Sequence, residues 1–496
     1  MNFFETLRAD IALFLGLRRT LKAYESIEKA TVASVGADVE RIVDLNADRV
    51  AIRFEGADMT YRQFDMRANA YANWALAQGL KKGDAVALLM GNRPDYVCAW
   101  IGLAKIGVIV GLINTNLTGA ALAHAVNIAD AQHVLLSADL APAFAGAAAS
   151  LTRAPKPWVL DGFEGMASLD EALAAVSTER PDKALREAVT LEDTALYVYT
   201  SGTTGAPKAA KMLHRRVLGM MRAFIGGAKA KPTDRVYVTL PLYHGTGGLC
   251  GVGFALTTGA TLIIRRKFSA THFWTDCAAE GATVFFYIGE LCRYLVNQPP
   301  SPADTAHKLR CGIGNGLRGE VWEKFQKRFN IPKILEFYGS TEGNTTLLNF
   351  DNKPGAIGRI PKWLQSRVNV RIVKFDTEEE QVVRGPDGLC IEAGPDETGE
   401  AVGEIRSDEA RYRFEGYTGD PVQTERKILR DVFVGYFYFV DHRDVQIPQG
   451  RSGARRLRSG EDRRANLVRS SRREALRARD AGTEGRDRSG QVQAIT

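Results

Sequence analysis

Between residues 49 and 350, short apolar runs alternate with amphipathic stretches of helical spacing. Among these runs are DAVALLMG (84–91), HVLLSAD (133–139), ALYVYTSG (195–202), RVYVTLPL (235–242), ATLIIRR (260–266), ATVFFYIG (282–289) and ILEFYGS (334–340). They are rich in β-branched and aromatic residues, and most end in Gly, Ser or Pro, which reads as buried strands feeding loops. Helical spacing between such runs predicts βαβ units and mostly parallel sheets flanked by helices. In that architecture ligands collect at the carboxyl ends of strands, where several Gly/Ser/Thr clusters fall.

The pattern changes twice further on. From 365 to 441 the runs are shorter and interrupted by polar residues, with turn signals such as RGPDG (384–388), which predicts a small antiparallel β subdomain. After Asp441 there is no aromatic residue and almost no apolar periodicity. That segment is not expected to fold alone and is read as a disordered tail. The expected division is a helical segment at 1–44, an α/β core at 45–364, the β subdomain with the start of a hinge at 365–441, and an Arg-rich tail at 442–496. No internal repeat is evident.

Length adds that 496 residues exceed one compact core. No run qualifies as a membrane-crossing helix, since AWIGLAKIGVIVGLI (99–113) is short and carries Lys105. At the start, MNFFETLRADIALFLGLRR places acids before and arginines after the apolar run, the reverse of a secretion signal. Its spacing suits either a first helix packed on the domain, the plainer reading, or an amphipathic helix lying on a membrane surface. Six scattered cysteines without a CxxC pair point to a reducing, cytoplasmic setting and to neither a disulfide framework nor a zinc site.

The net charge of +7 would hint at nucleic acid were it spread over the body. Residues 451–496 hold 13 Arg and six acids, which leaves 52 basic and 52 acidic residues in 1–450. The body is neutral, so no nucleic-acid partner is expected.

The chemistry concentrates in YTSGTTGAPKAAK (199–211). Glycines admit close backbone approach, hydroxyls donate hydrogen bonds and Lys208 supplies charge, a combination suited to phosphate. It is not a Walker A loop, because Lys208 does not follow a glycine and no GK[ST] opens a helix. The stretch resembles the phosphate-binding signature of the adenylate-forming superfamily. PLYHGTGG (241–248), GIGNGLR (312–318) and EFYGSTEG (336–343) follow in the order of that superfamily.

The resemblance implies ATP-binding roles for Thr200, Ser201, Gly202, Thr203, Thr204, Gly205 and Lys208. It implies adenine contacts from Gly314, Asn315, Gly316 and Tyr338, a phosphate contact from Thr341 and a Mg2+ ligand in Glu342. His244 would lie beside the acyl carboxylate. Three stretches, KAAKMLHRRV (208–217), FFYIGELCRYL (285–295) and RFEGYTGD (413–420), are similar to the very-long-chain acyl-CoA synthetases, also called fatty acid transport proteins. The implied reaction joins a fatty acid to ATP as acyl-adenylate plus pyrophosphate, after which CoA displaces AMP. ATP, Mg2+ and CoA are the implied cofactor and co-substrates, with fatty acid and CoA as partners.

The sequence departs from that family after residue 430. Thr418-Gly419-Asp420 is rejected as the ribose site, because the family's motif belongs between RDVF (430–433) and GYFYFVD (435–441), which here are separated only by Val434. His442 stands where an Arg is expected, and residues 428–496 contain no lysine to serve as the family's C-terminal cation. Two origins stay open: an internal deletion followed by a reading-frame change, or a genuine tail. The leading function is fatty acid–CoA ligation, impaired in this chain. The alternatives are a silent ATP- or fatty-acid-binding remnant and a fatty-acid uptake carrier.

Overall fold

The computed structural model describes residues 3–201, 207–368, 370–379, 381–394, 397–406, 412–419, 421–433, 436–446 and 455–459. Gly202, Thr203, Thr204 and Gly205, together with Asp420, lie outside the described residues. Each of the seven quoted apolar runs contains a strand. Two sheets hold them, because a continuous apolar run must be covered on both faces.

The first sheet runs Ala167–Ser168, Lys156–Leu160, His133–Ser137, Ala85–Leu89, Ile109–Leu112, Thr194–Ser201, Pro207–Leu213, and is parallel until its last, antiparallel pair. The second runs Thr346–Leu348, Ile334–Gly339, Cys311–Asn315, Val284–Ile288, Arg235–Val238, Thr261–Ile264, Val50–Phe54, Ala57–Thr60, and is antiparallel only at its two ends. One apolar core links residues of both sheets through Trp74, Trp100, Phe224 and Phe286.

The run at 99–113 divides between the helix Pro94–Lys105 and the strand Ile109–Leu112. Lys105 is buried there against Asp65 at 2.5 Å and Glu40 at 3.1 Å. The helix Phe3–Glu28 docks by polar ties on one face, with the Tyr24 hydroxyl donating to the Gly219 carbonyl at 2.6 Å.

A third, antiparallel sheet follows in the order Gly358–Ile360, Arg455–Ser459, Tyr436–Gln446, Thr398–Glu404, Val370–Asp376, Gln381–Val382, with Ile428–Phe433 also on Tyr436–Gln446. Two features differ from the expected disordered tail. The strand Tyr436–Gln446 continues past Asp441, and Arg455–Ser459 pairs with Gly358–Ile360 and with the end of Tyr436–Gln446. A segment too polar for its own core can still satisfy backbone groups at an open sheet edge. All six cysteines are buried as free thiols. No described helix is long and apolar enough to cross a membrane.

Candidate active site

The parallel strands of both sheets end around one cavity of about 340 Å3. Met90, Thr115, Thr239, Phe268 and Ile288, each at or just beyond the end of a different strand, line it. Buried Asn92 clamps the two sheets at this point. Its amide donates to the carbonyls of Leu240 (2.9 Å) and Arg265 (3.0 Å), and its oxygen accepts from the Leu242 N–H at 2.9 Å. The wall is mostly apolar, with Asn116 donating to the Tyr243 hydroxyl at 3.2 Å.

His244 stands next to this cavity, exposed, with its ring 5.2 Å from that of Tyr243. Beyond it the chain widens into an i→i+5 turn, in which the Cys250 N–H donates to the Gly245 carbonyl at 2.9 Å. Such turns are rare and recur at functional sites. Thr246 then donates to Asn315 at 3.2 Å, joining PLYHGTGG to GIGNGLR.

Glycine in GIGNGLR has a packing cause. A Cβ on Gly314 would meet the Tyr287 carbonyl at 2.2 Å, so the strand Cys311–Asn315 could not approach its neighbour. Buried Glu336 accepts from the Leu317 N–H at 2.9 Å and from the Tyr287 hydroxyl, holding the same loop from the next strand. Tyr338 is buried, packed with Leu347, Ile357 and Ile372 where the second sheet meets the third.

The Ser340–Gly343 turn is braced by Arg216, a half-buried residue just beyond the first sheet's last hairpin. Its guanidinium donates to the Thr341 carbonyl at 2.7 and 3.0 Å, to Ser340 at 3.3 Å, and to Gly343. Burial pulls its pKa down to about 10, opposed by the charges of Glu342 and Glu415. It therefore stays cationic at neutral pH, beside the carboxylate it helps to place.

Thr200, Ser201 and Lys208 lie on the stem of the hairpin Thr194–Leu213, with Thr200 opposite Lys208 and Ser201 opposite Pro207. Lys208 Nζ donates to Gln423 Oε1 at 2.7 Å and sits 5.6 Å from the ring centre of Tyr417. The Tyr417 hydroxyl donates to Glu342 Oε1 at 2.8 Å, and Lys427 Nζ is 3.6 Å from the same oxygen. The four motifs picked out in the sequence are thus tied to one another by a short chain of side-chain contacts. Of the described members, Thr200, Ser201, Lys208, Gly314 and Asn315 sit at the ends of strands, and His244, Gly316, Thr341 and Glu342 on turns beyond strand ends.

A divalent cation fits Glu342 in one way only. Among the described residues no group of three or more His, Cys, Asp or Glu could hold a metal. A single carboxylate suits Mg2+ when phosphates and water complete the shell. The Glu342 side chain is only 9% exposed, so its charge needs a cation or donors nearby.

A profile of the family described as AMP-binding enzyme matches residues 39–402. The chain belongs to the AMP-binding enzyme family. Long-chain fatty acid transport protein 6 of Mus musculus is 38% identical over 393 residues, covering 78% of this chain and 63% of that protein. The Mycobacterium tuberculosis medium/long-chain-fatty-acid–CoA ligase FadD6 is 35% identical over 419 residues, covering 84% and 67%. The chain thus spans slightly less than two thirds of the first relative and about two thirds of the second. Among solved structures, the N-terminal domain of FACL13 from Mycobacterium tuberculosis superposes with a TM-score of 0.69 at 24% identity, covering 86% of this chain and 99% of that one. That likeness concerns the fold.

Within this AMP-binding chain, Arg216, Tyr417, Gln423 and Lys427 were not singled out by sequence. Arg216 carries a weak signal, a cation in the otherwise amphipathic helix His214–Arg222. Tyr417 falls in the quoted RFEGYTGD without a readable role, and Gln423 and Lys427 carry no signal, because their partners are remote along the chain.

Proposed function

We propose that this chain activates a long- or very-long-chain fatty acid as acyl-adenylate and transfers the acyl group to CoA. Overall, fatty acid, ATP and CoA give acyl-CoA, AMP and pyrophosphate. The observation that carries this reading is the convergence of the Thr200–Lys208 hairpin, the Ser340–Gly343 turn and His244 beside a cavity with an apolar wall. An apolar cavity with polar groups at one end suits a substrate that is a hydrocarbon with a carboxylate head.

In this reading the backbone and hydroxyls of 200–205 and the Lys208 ammonium hold the β- and γ-phosphates that leave. Gly314, Asn315 and Gly316 flank adenine. Tyr338 is the adenine neighbour that its burial supports least. Thr341 meets phosphate, and Arg216 fixes the turn that presents it. His244 and Tyr243 orient the carboxylate toward the α-phosphorus. Glu342 would hold Mg2+, which when bound neutralises triphosphate charge. The family-matched strands of the first two sheets exclude water on the cavity side.

A second reading, a nucleotide- or fatty-acid-binding remnant, draws on the same observation.

The helix Phe3–Glu28 favours a cytoplasmic chain resting on the inner membrane surface, since its outward face combines apolar and basic residues. Mass spectrometry of a mixture with palmitate, ATP, Mg2+ and CoA tests the reaction. Palmitoyl-CoA and AMP are expected as the products. ADP as the nucleotide product would contradict the reading.

A further inference from the structure

One short segment reaches both groups assigned to the triphosphate end of the nucleotide. Residues 416–419 lie along the open edge of the first sheet. There the Lys211 N–H donates to the Gly416 carbonyl (3.2 Å), and the Thr418 N–H donates to the Ala209 carbonyl (2.9 Å). The helix Pro421–Glu425 follows and is pinned back by Thr424, whose hydroxyl accepts from the Tyr417 N–H at 3.0 Å. Gly416 is required at the bend: its φ is +69°, and a Cβ would meet Thr424 Cγ2 at 2.3 Å. From this frame Gln423 takes a hydrogen bond from Lys208, while Tyr417 and Lys427 both reach Glu342 Oε1.

The Lys427–Glu342 pair is little exposed, with side chains 16% and 9% accessible. A carboxylate that has left water needs compensating charge; among the described residues Lys427 supplies a cation within 4 Å of it, with Arg216 farther off. A Mg2+ ligand, by contrast, sits about 2.0–2.1 Å from its metal. A divalent ion on Oε1 and an ammonium 3.6 Å from the same atom would repel across a few ångströms of poorly solvated space.

We propose that Lys427 is a positioning residue for Glu342: its ammonium is the resident counter-cation of that carboxylate, and magnesium–nucleotide binds by replacing it. The inference rests on the reading of Glu342 given above. Residues 416–419 and 421–427 then exist in two arrangements. In one, Lys427 and Gln423 satisfy Glu342 and Lys208. In the other, both ligands are released to the triphosphate and its metal. The apparent affinity for Mg2+ is lowered by the stability of the first arrangement.

The test is calorimetric titration of ATP into the whole chain over a series of Mg2+ concentrations, without fatty acid, for the parent, Lys427→Met, Lys427→Arg and Tyr417→Phe. Lys427→Met keeps the stem and removes the charge, so the Mg2+ concentration giving half-maximal ATP affinity should fall about tenfold. Lys427→Arg should stay within about twofold of the parent. Tyr417→Phe removes an uncharged donor to the same oxygen and should not lower the midpoint. Melting curves establish that each variant is folded.

An unchanged or raised midpoint in Lys427→Met overturns the inference and leaves the ligase reading standing, provided the parent binds ATP. An equal fall in Tyr417→Phe also overturns it, because general loosening of 416–427 would then be the cause. A parent chain that binds no ATP overturns both.

Discussion

His214 opens its helix with no exposed surface, and its Nδ1 accepts from the Val35 N–H at 3.2 Å. Burial pulls its pKa down to about 4, against a partial opposing effect from Asp193. The folded chain thus prefers the neutral ring. The stability involved is present above the ordinary histidine pKa near 6.5. It is lost as pH falls from there toward 4, because the unfolded chain takes up the proton first. Over that window the loss is on the order of 3 kcal/mol. Thermal unfolding at pH 7 and pH 5 should show a steeper decline for the parent than for His214→Asn, which does not titrate. Equal declines would contradict the assignment. At this scale the sequence draws attention to residues inside a motif, as with Lys208 and Glu342, which Tyr417 brings within two contacts of each other. It gave no role to Arg216 or Tyr417, although both fall in quoted stretches, because their partners lie 124–127 and 75 residues away.

Among the elements, the buried parallel strands were legible because a strand covered on both faces must be apolar throughout. The split of 99–113 into helix and strand was not legible, since a short apolar run has no decisive period. Nor was the role of 416–427, whose position depends on an edge strand and two distant polar side chains. The N-terminal helix was legible as a helix but ambiguous in its outer face, and the structure sharpens that face. Phe4, Leu7, Ile11 and Phe14 are exposed along one stripe, with Phe4 at 78%, and Trp363 is 6.5 Å from Phe14. Arg8 and Arg18 are exposed beside them, whereas Asp10 turns inward to Arg359. An apolar stripe bordered by cations suits an anionic lipid surface. Sedimentation with phosphatidylserine-containing vesicles should therefore retain the chain. Changing Phe4, Leu7, Ile11 and Phe14 to Ser should weaken retention by at least about tenfold. Equal retention of parent and variant would count against this surface.

For the whole molecule, two parallel sheets meet at their carboxyl ends, and a third, antiparallel sheet closes against them through Tyr338, Ile357 and Ile372. That arrangement turns four sequence-distant motifs into neighbours, and the adenylation reading depends on it. The measurement closest to it is exchange of labelled pyrophosphate into ATP, because exchange requires reversible acyl-adenylate formation and neither CoA nor formation of the thioester. With palmitate and Mg2+ the parent chain should show exchange that is strictly dependent on fatty acid, and Glu342→Gln and Lys208→Met should each reduce it by roughly 10²-fold or more. Exchange that is absent from the folded parent, or that proceeds equally without palmitate, would contradict the account.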